Sequence, residues 1–277
     1  MPQWNCRCRN CRAARSRGCR ITQSSAVVTE DGSQWLLLNA SPDLDIQFSS
    51  FRPLAPRGTE LRGGGVRAVI LTDGEMDHVT GLISLREQKS LALVCTAAVK
   101  NLLTGHFRLL PVLERFCRIA HSNFPVEIAG IRITALALKT DKAPLYARRA
   151  ARSGDVVALC LQANGKSLIY IPGLPAITTV LNAFVAGCDC LLVDGTFWSV
   201  DEMTSLGLSK RNAPEMGHVQ ISGPSGSLEW LRTLDIPRKI YTHINNTNPI
   251  LRKDSRERRL VERAGVEISG DGMDIRL

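Results

Sequence analysis

An apolar segment that runs directly into an acidic loop constrains this chain more than any other feature. The segment is Val66 to Leu71, and it predicts a buried strand. Four potential metal ligands follow within six residues: Asp73, Glu75, Asp77 and His78. Three carboxylates and an imidazole held so close together are stabilised by a bound cation. The loop therefore predicts a metal site, and a solvated acidic turn that caps the next helix is the alternative.

The rest of the chain predicts strands in two batches with helices between them. Tight turns are predicted at Glu30 to Gly32 and at Asn164-Gly165. A polar, basic stretch from 140 to 154 is predicted to form a loop over the active site. The predicted strands are 25–29, 35–39, 91–96, 126–128, 131–138, 156–162, 167–171, 190–193 and 239–242, with a closing hairpin of 267–269 and 273–276. The predicted helices are 79–87, 97–103, 176–186, 227–234 and 255–264.

This order of elements fits a two-sheet sandwich covered by helices. The 277 residues are enough for one large α/β domain, and we expect a single domain over 1–277. No apolar run reaches the roughly 18 residues that a membrane span needs. The N-terminus lacks the apolar region of a signal peptide. We therefore expect a cytoplasmic protein without membrane insertion.

The formal net charge is +9, and the basic residues are scattered along the chain. Such a distribution is typical of a solvated basic surface, and it also suits attraction of a small anionic molecule. The sequence contains no recognition helix, zinc finger or aromatic stacking strand. It therefore gives no support for nucleic acid as a partner.

The nine cysteines are unevenly distributed, and four lie in residues 1–20. With no secretory signal, their crowding favours metal binding over disulfides. Cys6, Cys8 and Cys11 have the compact spacing of a structural zinc site, so 1–20 is predicted to be a Cys-rich metal knuckle. Three reduced thiols are the alternative. The later cysteines lie in apolar stretches and are predicted to be packed thiols.

Two of the five histidines lie in segments that favour chemistry. His243 ends the predicted strand 239–242 and opens a segment that is too polar for a core. His218 lies in a turn-like context within a long loop. We expect ordinary surface or packing roles for His106 and His121.

The strand followed by Asp77-His78 and then Gly81 resembles the metal-binding signature of the metallo-β-lactamase fold. The resemblance implies an α/β protein with an αββα sandwich, in which two mixed β-sheets are flanked by helices. Hydrolases of that group carry His-x-His-x-Asp-His. Asp73 and Glu75 replace the two leading histidines here, which disfavours hydrolysis by a two-metal centre.

Six short motifs are spread along the whole chain. They are Pro2-Gln3-Trp4-Asn5-Cys6-x-Cys8-x-x-Cys11, Asn39-Ala40-Ser41-Pro42-Asp43, Val193-Asp194-Gly195-Thr196, Met216-Gly217-His218, His243-Ile244-Asn245-Asn246-Thr247-Asn248-Pro249 and Asp271-Gly272-Met273. Together, in this order, they resemble the pyrroloquinoline quinone (PQQ) biosynthesis protein B family. Members of that family carry a further strand and a Gly-rich turn before the first of these motifs. Since this chain starts at Met1-Pro2, we expect that first strand to be missing.

The resemblance implies a catalytic metal held by Asp77, His78 and His243. One carboxylate and two imidazoles resemble the facial triad that binds Fe(II) and leaves positions open for O₂ and substrate. Zinc and manganese remain alternatives, because imidazole binds all three. The implied activity is oxygen-dependent hydroxylation of the tyrosine-derived ring in the cross-linked Glu–Tyr precursor of PQQ.

The predicted acids and bases around this metal are Glu75, His218 and Asp194, with Asp73 a further residue that would orient a ligand histidine. Related phosphodiesterases of the fold use a histidine at the position of Asn246. The fourth ligand of the cysteine site therefore stays open, with Asn246, Cys19 and a water as the alternatives.

Two other functions stay open at this stage. One is a mononuclear hydrolase, such as a phosphodiesterase, which the fold resemblance favours. The other is a carrier or transport aid for PQQ or its precursor. The expected partners are the small anionic precursor, other PQQ biosynthesis proteins and a second copy of the chain in a homodimer.

Overall fold

The structure is a computed structural model that describes residues 1–56 and 63–277. Over these residues the strands are, in chain order, β1 (Ala26–Val28), β2 (Trp35–Leu38), β3 (Val66–Ile70), β4 (Ser90–Val94), β5 (Arg118–Ser122), β6 (Val126–Ile128), β7 (Ile131–Ala137), β8 (Val157–Ala163), β9 (Lys166–Ile171), β10 (Cys190–Asp194), β11 (Arg238–Thr242) and β12 (Glu267–Ile268). The α-helices are α1 (Arg9–Ser16), α2 (Leu44–Ser50), α3 (Met76–Val79), α4 (Ala97–Asn101), α5 (Leu109–Leu113), α6 (Thr179–Val185), α7 (Glu202–Ser205), α8 (Ser227–Thr233) and α9 (Arg256–Arg263).

The chain forms two compact units. The central unit comprises Gln23–Ala137 and Ala143–Gly165, and the terminal unit comprises Met1–Thr22, Leu138–Lys142 and Lys166–Leu277. The prediction of a single domain over 1–277 stays a prediction.

The central unit contains a five-stranded sheet with its strands in the order β1-β2-β3-β4-β5. The β1–β2 pair is antiparallel and the other pairs are parallel. Its buried core includes Leu37 of β2, Val69 of β3 and Leu93 of β4, with Val79 and Leu103 from helical segments. Strands β6, β7 and β8 of the same unit form an antiparallel run. The mixed sheet holds the carboxyl ends of β2 and β3 side by side, which positions the acidic loop.

The terminal unit contains a parallel run in the order β12-β11-β10-β9. Strand β10 is buried at every residue, as expected for an apolar run covered on both faces. In β11 the buried Tyr241 hydroxyl shares a hydrogen bond of 3.0 Å with Ser227 of α8. Asp194 at the end of β10 pairs in register with Thr242 at the end of β11. The residues that follow these two strands are therefore brought together.

Several local predictions are confirmed. The hairpin of β1 and β2 forms around the predicted turn. Strand β8 is followed by β9 after Asn164 and Gly165, which both have positive φ, as a two-residue hairpin turn requires. Helix α9 begins after Ser255, whose side chain caps the Arg258 amide, and Gly265 beyond its end has a φ of 73°.

One prediction of local structure is wrong, and one predicted helix is present with a different start and helix type. The closing hairpin is absent from the described residues, because β12 pairs in parallel with β11 and 273–276 is not a strand. Asp271 of its supposed turn instead accepts hydrogen bonds from the backbone and hydroxyl of Thr22. The helix predicted over 79–87 begins earlier, with α3, and continues as a 3₁₀ helix over Thr80–Glu87. Across the described residues, no helix has the length and apolar character needed to cross a membrane.

Candidate metal centre

The acidic loop of the central unit is organised around the buried carboxylate of Asp73. Its oxygens accept hydrogen bonds from the Thr72 hydroxyl at 2.7 Å and from the Glu75 backbone amide at 2.9 Å. The loop then enters α3, where His78 directs Nδ1 back to within 2.8 Å of both Asp73 oxygens. Because Nδ1 is engaged in this way, Nε2 is the ring nitrogen that can coordinate a metal.

The Asp73–His78 pair is buried on both sides, with side-chain exposures of 4% and 3%. Burial raises the pKa of Asp73, but the charge and hydrogen bond of His78, with the bonds from Thr72 and Glu75, lower it below its usual value. Asp73 therefore stays ionised and fixes the orientation of the His78 ring. That His78 is a metal ligand, and Asp73 the residue that orients it, stays a prediction with which this contact is compatible.

The segment that follows β2 holds the backbone of the same loop. Asn39 has a φ of 58°, and its side chain donates to the Thr72 hydroxyl and accepts from the Thr72 amide. The Ala40 amide donates to the His78 carbonyl at 2.7 Å. A Cβ atom on Gly81 would lie 2.1 Å from the Ser41 carbonyl oxygen, so only glycine allows this approach. The predicted motif at 39–43 thus supports the acidic loop from the segment that follows the neighbouring strand, β2.

Residues 143–154 of the predicted loop 140–154 belong to the central unit, and they contact the acidic loop. The Tyr146 hydroxyl donates a hydrogen bond to the Gly74 carbonyl, and its ring lies 5.0 Å from that of Phe107. Burial, together with the carboxylates of Glu75, Asp73 and Asp155, raises the pKa of Tyr146. The hydroxyl therefore remains protonated and holds the loop as a donor.

Asp194, which ends β10 in the terminal unit, is a second fully buried carboxylate. Its oxygens accept hydrogen bonds from the Leu174 and Thr196 amides, both at 3.0 Å, and from the Thr196 hydroxyl. The Nδ1 atom of His218 lies 2.6 Å from Oδ2, and the Nδ1 atom of His243 lies 3.6 Å from Oδ1. One carboxylate thus contacts two imidazoles on their Nδ1 side.

His243 follows β11 directly and has a φ of 53°, in the left-handed region that few residues other than glycine adopt. Its Nδ1 lies 2.8 Å from the Thr196 hydroxyl oxygen, which also lies 3.0 Å from the His243 carbonyl oxygen. The His218 ring stacks on the His243 ring with a centroid distance of 5.7 Å. Both rings are therefore held by partners at Nδ1, so Nε2 is the nitrogen of each ring that could coordinate a metal or transfer a proton.

Ligand atoms of Asp194, His218 and His243 lie within 4.8 Å of one another, close enough to share a metal. The carboxylate already accepts two backbone amides, a hydroxyl and an imidazole, which favours orienting the rings over coordinating an ion. Burial raises the pKa of Asp194, but the charges and hydrogen bonds of His218 and His243 lower it strongly. The carboxylate is therefore ionised at neutral pH.

The cysteine motif also folds into a cluster. The Sγ atoms of Cys6, Cys8 and Cys11 lie within 4.8 Å of one another. Backbone amides donate to each sulfur at 3.4 Å, from Gln3 to Cys11, from Cys8 to Cys6 and from Cys11 to Cys8. Convergence of three sulfurs that accept amide hydrogen bonds fits thiolate ligands of a metal such as zinc.

The Asn246 side chain, and not Cys19, approaches this cluster. Its Nδ2 atom lies 3.2, 3.5 and 3.3 Å from the sulfurs of Cys6, Cys8 and Cys11. Cys19 is exposed and lies after the end of α1, outside the group of sulfurs. Of the two residues expected as the fourth ligand, Asn246 is the one that lies beside the sulfurs, but the atom that it presents to them is an N–H donor. As a ligand Asn246 would have to present Oδ1, so the identity of the fourth ligand stays a prediction.

The remaining predicted residues lie on α3 and at its start. Glu75 precedes the helix, and its carbonyl accepts from the His78 amide at 2.9 Å. Asp77 lies in the first turn and is partly exposed. Sequence reasoning did not identify Thr196, which contacts His243, although the Val193-Asp194-Gly195-Thr196 motif contains it.

Comparisons of the sequence and of the structure with known proteins agree with one another. The family model for a beta-lactamase superfamily domain matches residues 34–244. The coenzyme PQQ synthesis protein B of Methylococcus capsulatus is 42% identical over 290 residues, covering 99% of this chain and 95% of that protein. The corresponding protein of Cupriavidus necator is 41% identical, covering 100% of this chain and 95% of that protein.

The chain belongs to the coenzyme PQQ synthesis protein B family. The crystal structure of Zn(2+)-bound PqqB from Methylobacterium extorquens, a member of that family, matches 100% of this chain and 95% of its own, with a TM-score of 0.91 and 36% identity. A diphosphatase from the PhnP family shares the fold, with a TM-score of 0.69 and 15% identity. The predicted fold is confirmed: the protein has the metallo-β-lactamase fold, with two mixed sheets flanked by helices.

Proposed function

We propose that this protein is a metal-dependent enzyme of PQQ biosynthesis, which hydroxylates the tyrosine-derived ring of the cross-linked Glu–Tyr precursor with Fe(II), O₂ and two electrons from an external reductant. One oxygen atom enters the ring and the other leaves as water. Membership of the PQQ synthesis protein B family supports the pathway. The observation that carries the metal-dependent part is the pair of imidazoles held at Nδ1: His78 by Asp73 and His243 by Thr196. Histidines that bind metals in proteins are typically oriented in this way.

The ligands in this proposal are Asp77, His78 and His243. Two imidazoles and one carboxylate fit Fe(II) and leave positions for O₂ and substrate, whereas zinc or manganese would use the same atoms. When bound, the iron would supply the activation of O₂. Replacement of the hydrolase histidines by Asp73 and Glu75 disfavours a two-metal hydrolase.

The other residues move protons or orient the ligands. His218 would exchange a proton with the substrate hydroxyl at Nε2, because its Nδ1 is held by Asp194. Asp194 acts on both rings from their Nδ1 side, and Glu75 would serve as a base beside the metal loop. The net charge of +9 suits an anionic precursor.

We propose that Cys6, Cys8 and Cys11 bind a structural zinc ion, with Asn246 completing the site through Oδ1 after its amide group turns over. This zinc would fix the N-terminal segment and take no part in the reaction. Association as a homodimer and contact with other PQQ biosynthesis proteins remain predictions.

Anaerobic reconstitution tests the activity. The full chain is loaded with Fe(II), then supplied with O₂, the Glu–Tyr precursor and a two-electron reductant such as ascorbate, and the product is analysed by mass spectrometry. We expect O₂ consumption and a mass gain of oxygen, both abolished in His243→Ala and retained in His106→Ala, which alters an exposed histidine. Tight PQQ binding with no metal-dependent turnover would instead favour a carrier.

Metal analysis separates the two sites. We expect Cys6→Ser to lose zinc, His243→Ala to lose the redox metal, and Cys19→Ser to keep both. Retention of every metal in the first two variants would contradict both assignments.

A further inference from the structure

Asn10 lies inside the cysteine motif, between Cys8 and Cys11, yet its side chain contacts a different part of the chain. It is 3% exposed, and its Nδ2 atom donates to two backbone carbonyls, of Asn246 at 2.9 Å and of Asn248 at 2.8 Å. Its Oδ1 atom accepts from Nη1 of Arg252 at 3.1 Å. Both amide hydrogens and the oxygen of this buried side chain are therefore used.

The two carbonyls belong to the segment that begins at His243. The Asn245 amide donates to the Thr196 carbonyl at 3.1 Å, and Nδ2 of Asn248 donates to the Gly195 carbonyl at 2.8 Å. These bonds fix one side of the segment to the end of β10, while Asn10 fixes it to α1. A non-glycine residue at positive φ, such as His243, persists only where its surroundings determine the backbone fully.

We propose that Asn10 is a positioning residue, which sets the 243–248 segment and thereby the His243 imidazole. The proposal rests on the proposed metal at His243, and it makes the N-terminal cysteine segment part of the support of that ligand. The Asn246 side chain faces the three sulfurs while its backbone carbonyl is bound by Asn10. Asn10 thus links the cysteine cluster to His243 through hydrogen bonds that need no metal.

The variant Asn10→Asp tests this at nearly constant side-chain volume. It replaces two N–H donors with a carboxylate oxygen that faces two carbonyl oxygens, which is repulsive. The probe is Mn(II), added to protein with its zinc content measured beforehand, because Mn(II) prefers nitrogen and oxygen ligands to thiolates. We expect Mn(II) affinity at least about tenfold weaker than in the parent, with the zinc content unchanged. The matched control is Ser16→Ala on the exposed end of α1.

An Mn(II) affinity within about twofold of the parent would overturn the proposal. If Asn10→Asp does not fold, Arg252→Gln removes the partner of Oδ1 and leaves both amide donors in place. We then expect a smaller loss, about threefold, and an unchanged affinity would again overturn it.

Amide hydrogen exchange gives a readout that depends on no metal. In Asn10→Asp we expect faster exchange at the amides of Asn245 and Asn248 than in Ser16→Ala, and equal exchange would overturn the proposal. If the parent itself binds no Mn(II), the proposed metal site fails, whereas the exchange measurement still decides the role of Asn10. The two failures are therefore distinguishable.

Discussion

Two buried carboxylates at the ends of strands hold imidazoles in this protein, and they do so over different distances along the chain. Asp73 directs both oxygens to one ring, that of His78 in the same loop. Asp194 divides its oxygens between amides, a hydroxyl and the ring of His218, with His243 at 3.6 Å. The first arrangement is set by one turn of chain, whereas the second needs three separate segments to meet.

This difference has a consequence for how each site is stabilised. The Asp73 pair depends on neighbours such as Thr72 and Glu75. The Asp194 group depends on residues that bring distant segments together, such as Asn248 at the Gly195 carbonyl. Substitution of Asp194 should therefore destabilise the terminal unit as a whole. Substitution of Asp73 should disturb only the acidic loop.

The largest expected effect is that of Asp194→Asn. Losing one partner of a buried, hydrogen-bonded charge group costs roughly 3–5 kcal/mol. We expect the free energy of unfolding, measured by urea denaturation, to fall by that amount, with loss of metal binding. Asp235→Asn, at an exposed aspartate, serves as the control and should change little. If Asp194→Asn is as stable as the control, Asp194 does not hold the terminal unit together and the contrast with Asp73 fails.

Asp73→Asn should have a more local effect. Removing the partner of a ligand histidine typically weakens metal binding by about 10- to 100-fold. We expect a loss in that range in a metal titration, with a smaller loss of unfolding free energy than in Asp194→Asn. Equal destabilisation by the two variants would show that the Asp73 pair also supports the wider fold.

The two threonines beside these carboxylates sharpen the comparison. The Thr196 hydroxyl contacts His243 directly, whereas the Thr72 hydroxyl contacts Asp73 and Asn39. A typical hydrogen bond contributes about 1 kcal/mol, or roughly fivefold in affinity. We expect Thr196→Val to weaken metal binding by about fivefold and Thr72→Val by less. The reverse order would mean that His243 does not depend on its hydroxyl partner.

Acid titration gives the smallest expected difference. The pKa values of Asp73 and Asp194 are lowered in the folded protein, so both stabilise it above their unfolded value of about 3.9. That stability is lost as the pH falls from about 4 towards the folded pKa. We expect unfolding free energy to decline less steeply below pH 4 in either Asp→Asn variant than in the parent. If the unfolding free energy depends on pH in the same way in all three proteins, the lowered pKa values assigned to Asp73 and Asp194 are contradicted.

The same contrast explains what the sequence could predict. The Asp73–His78 loop is contiguous, so its ligands are visible as a pattern after an apolar strand. The hydrogen bonds of Asn10 to 246 and 248 join distant segments, and no local spacing encodes them. Sequence context marks His243 and His218 as candidates, but their assignment to the metal site needed the family resemblance, and the contact of Thr196 with His243 needed the structure.

The strands and helices were also predictable only where a local sequence pattern encodes them. Strands β3 and β10 are largely apolar runs and are predictable from their sequence. Helix α1 was not predicted, because its buried face consists of Asn10, Cys11 and Ala14, which do not form an apolar stripe. The closing hairpin was predicted from its Gly-Asp-Gly turn, yet parallel pairing of β12 with β11 prevails.

The left-handed backbone of His243 limits which residues this position can accept. Glycine would relieve the backbone and asparagine would tolerate it, but neither carries an imidazole. Asn39 has a similar φ and already is the residue type that suits it. In a saturation screen, Asn39 should therefore accept glycine at some cost, whereas position 243 should accept no other amino acid. Position 243 can therefore change to another residue only if the backbone conformation of the surrounding loop changes as well.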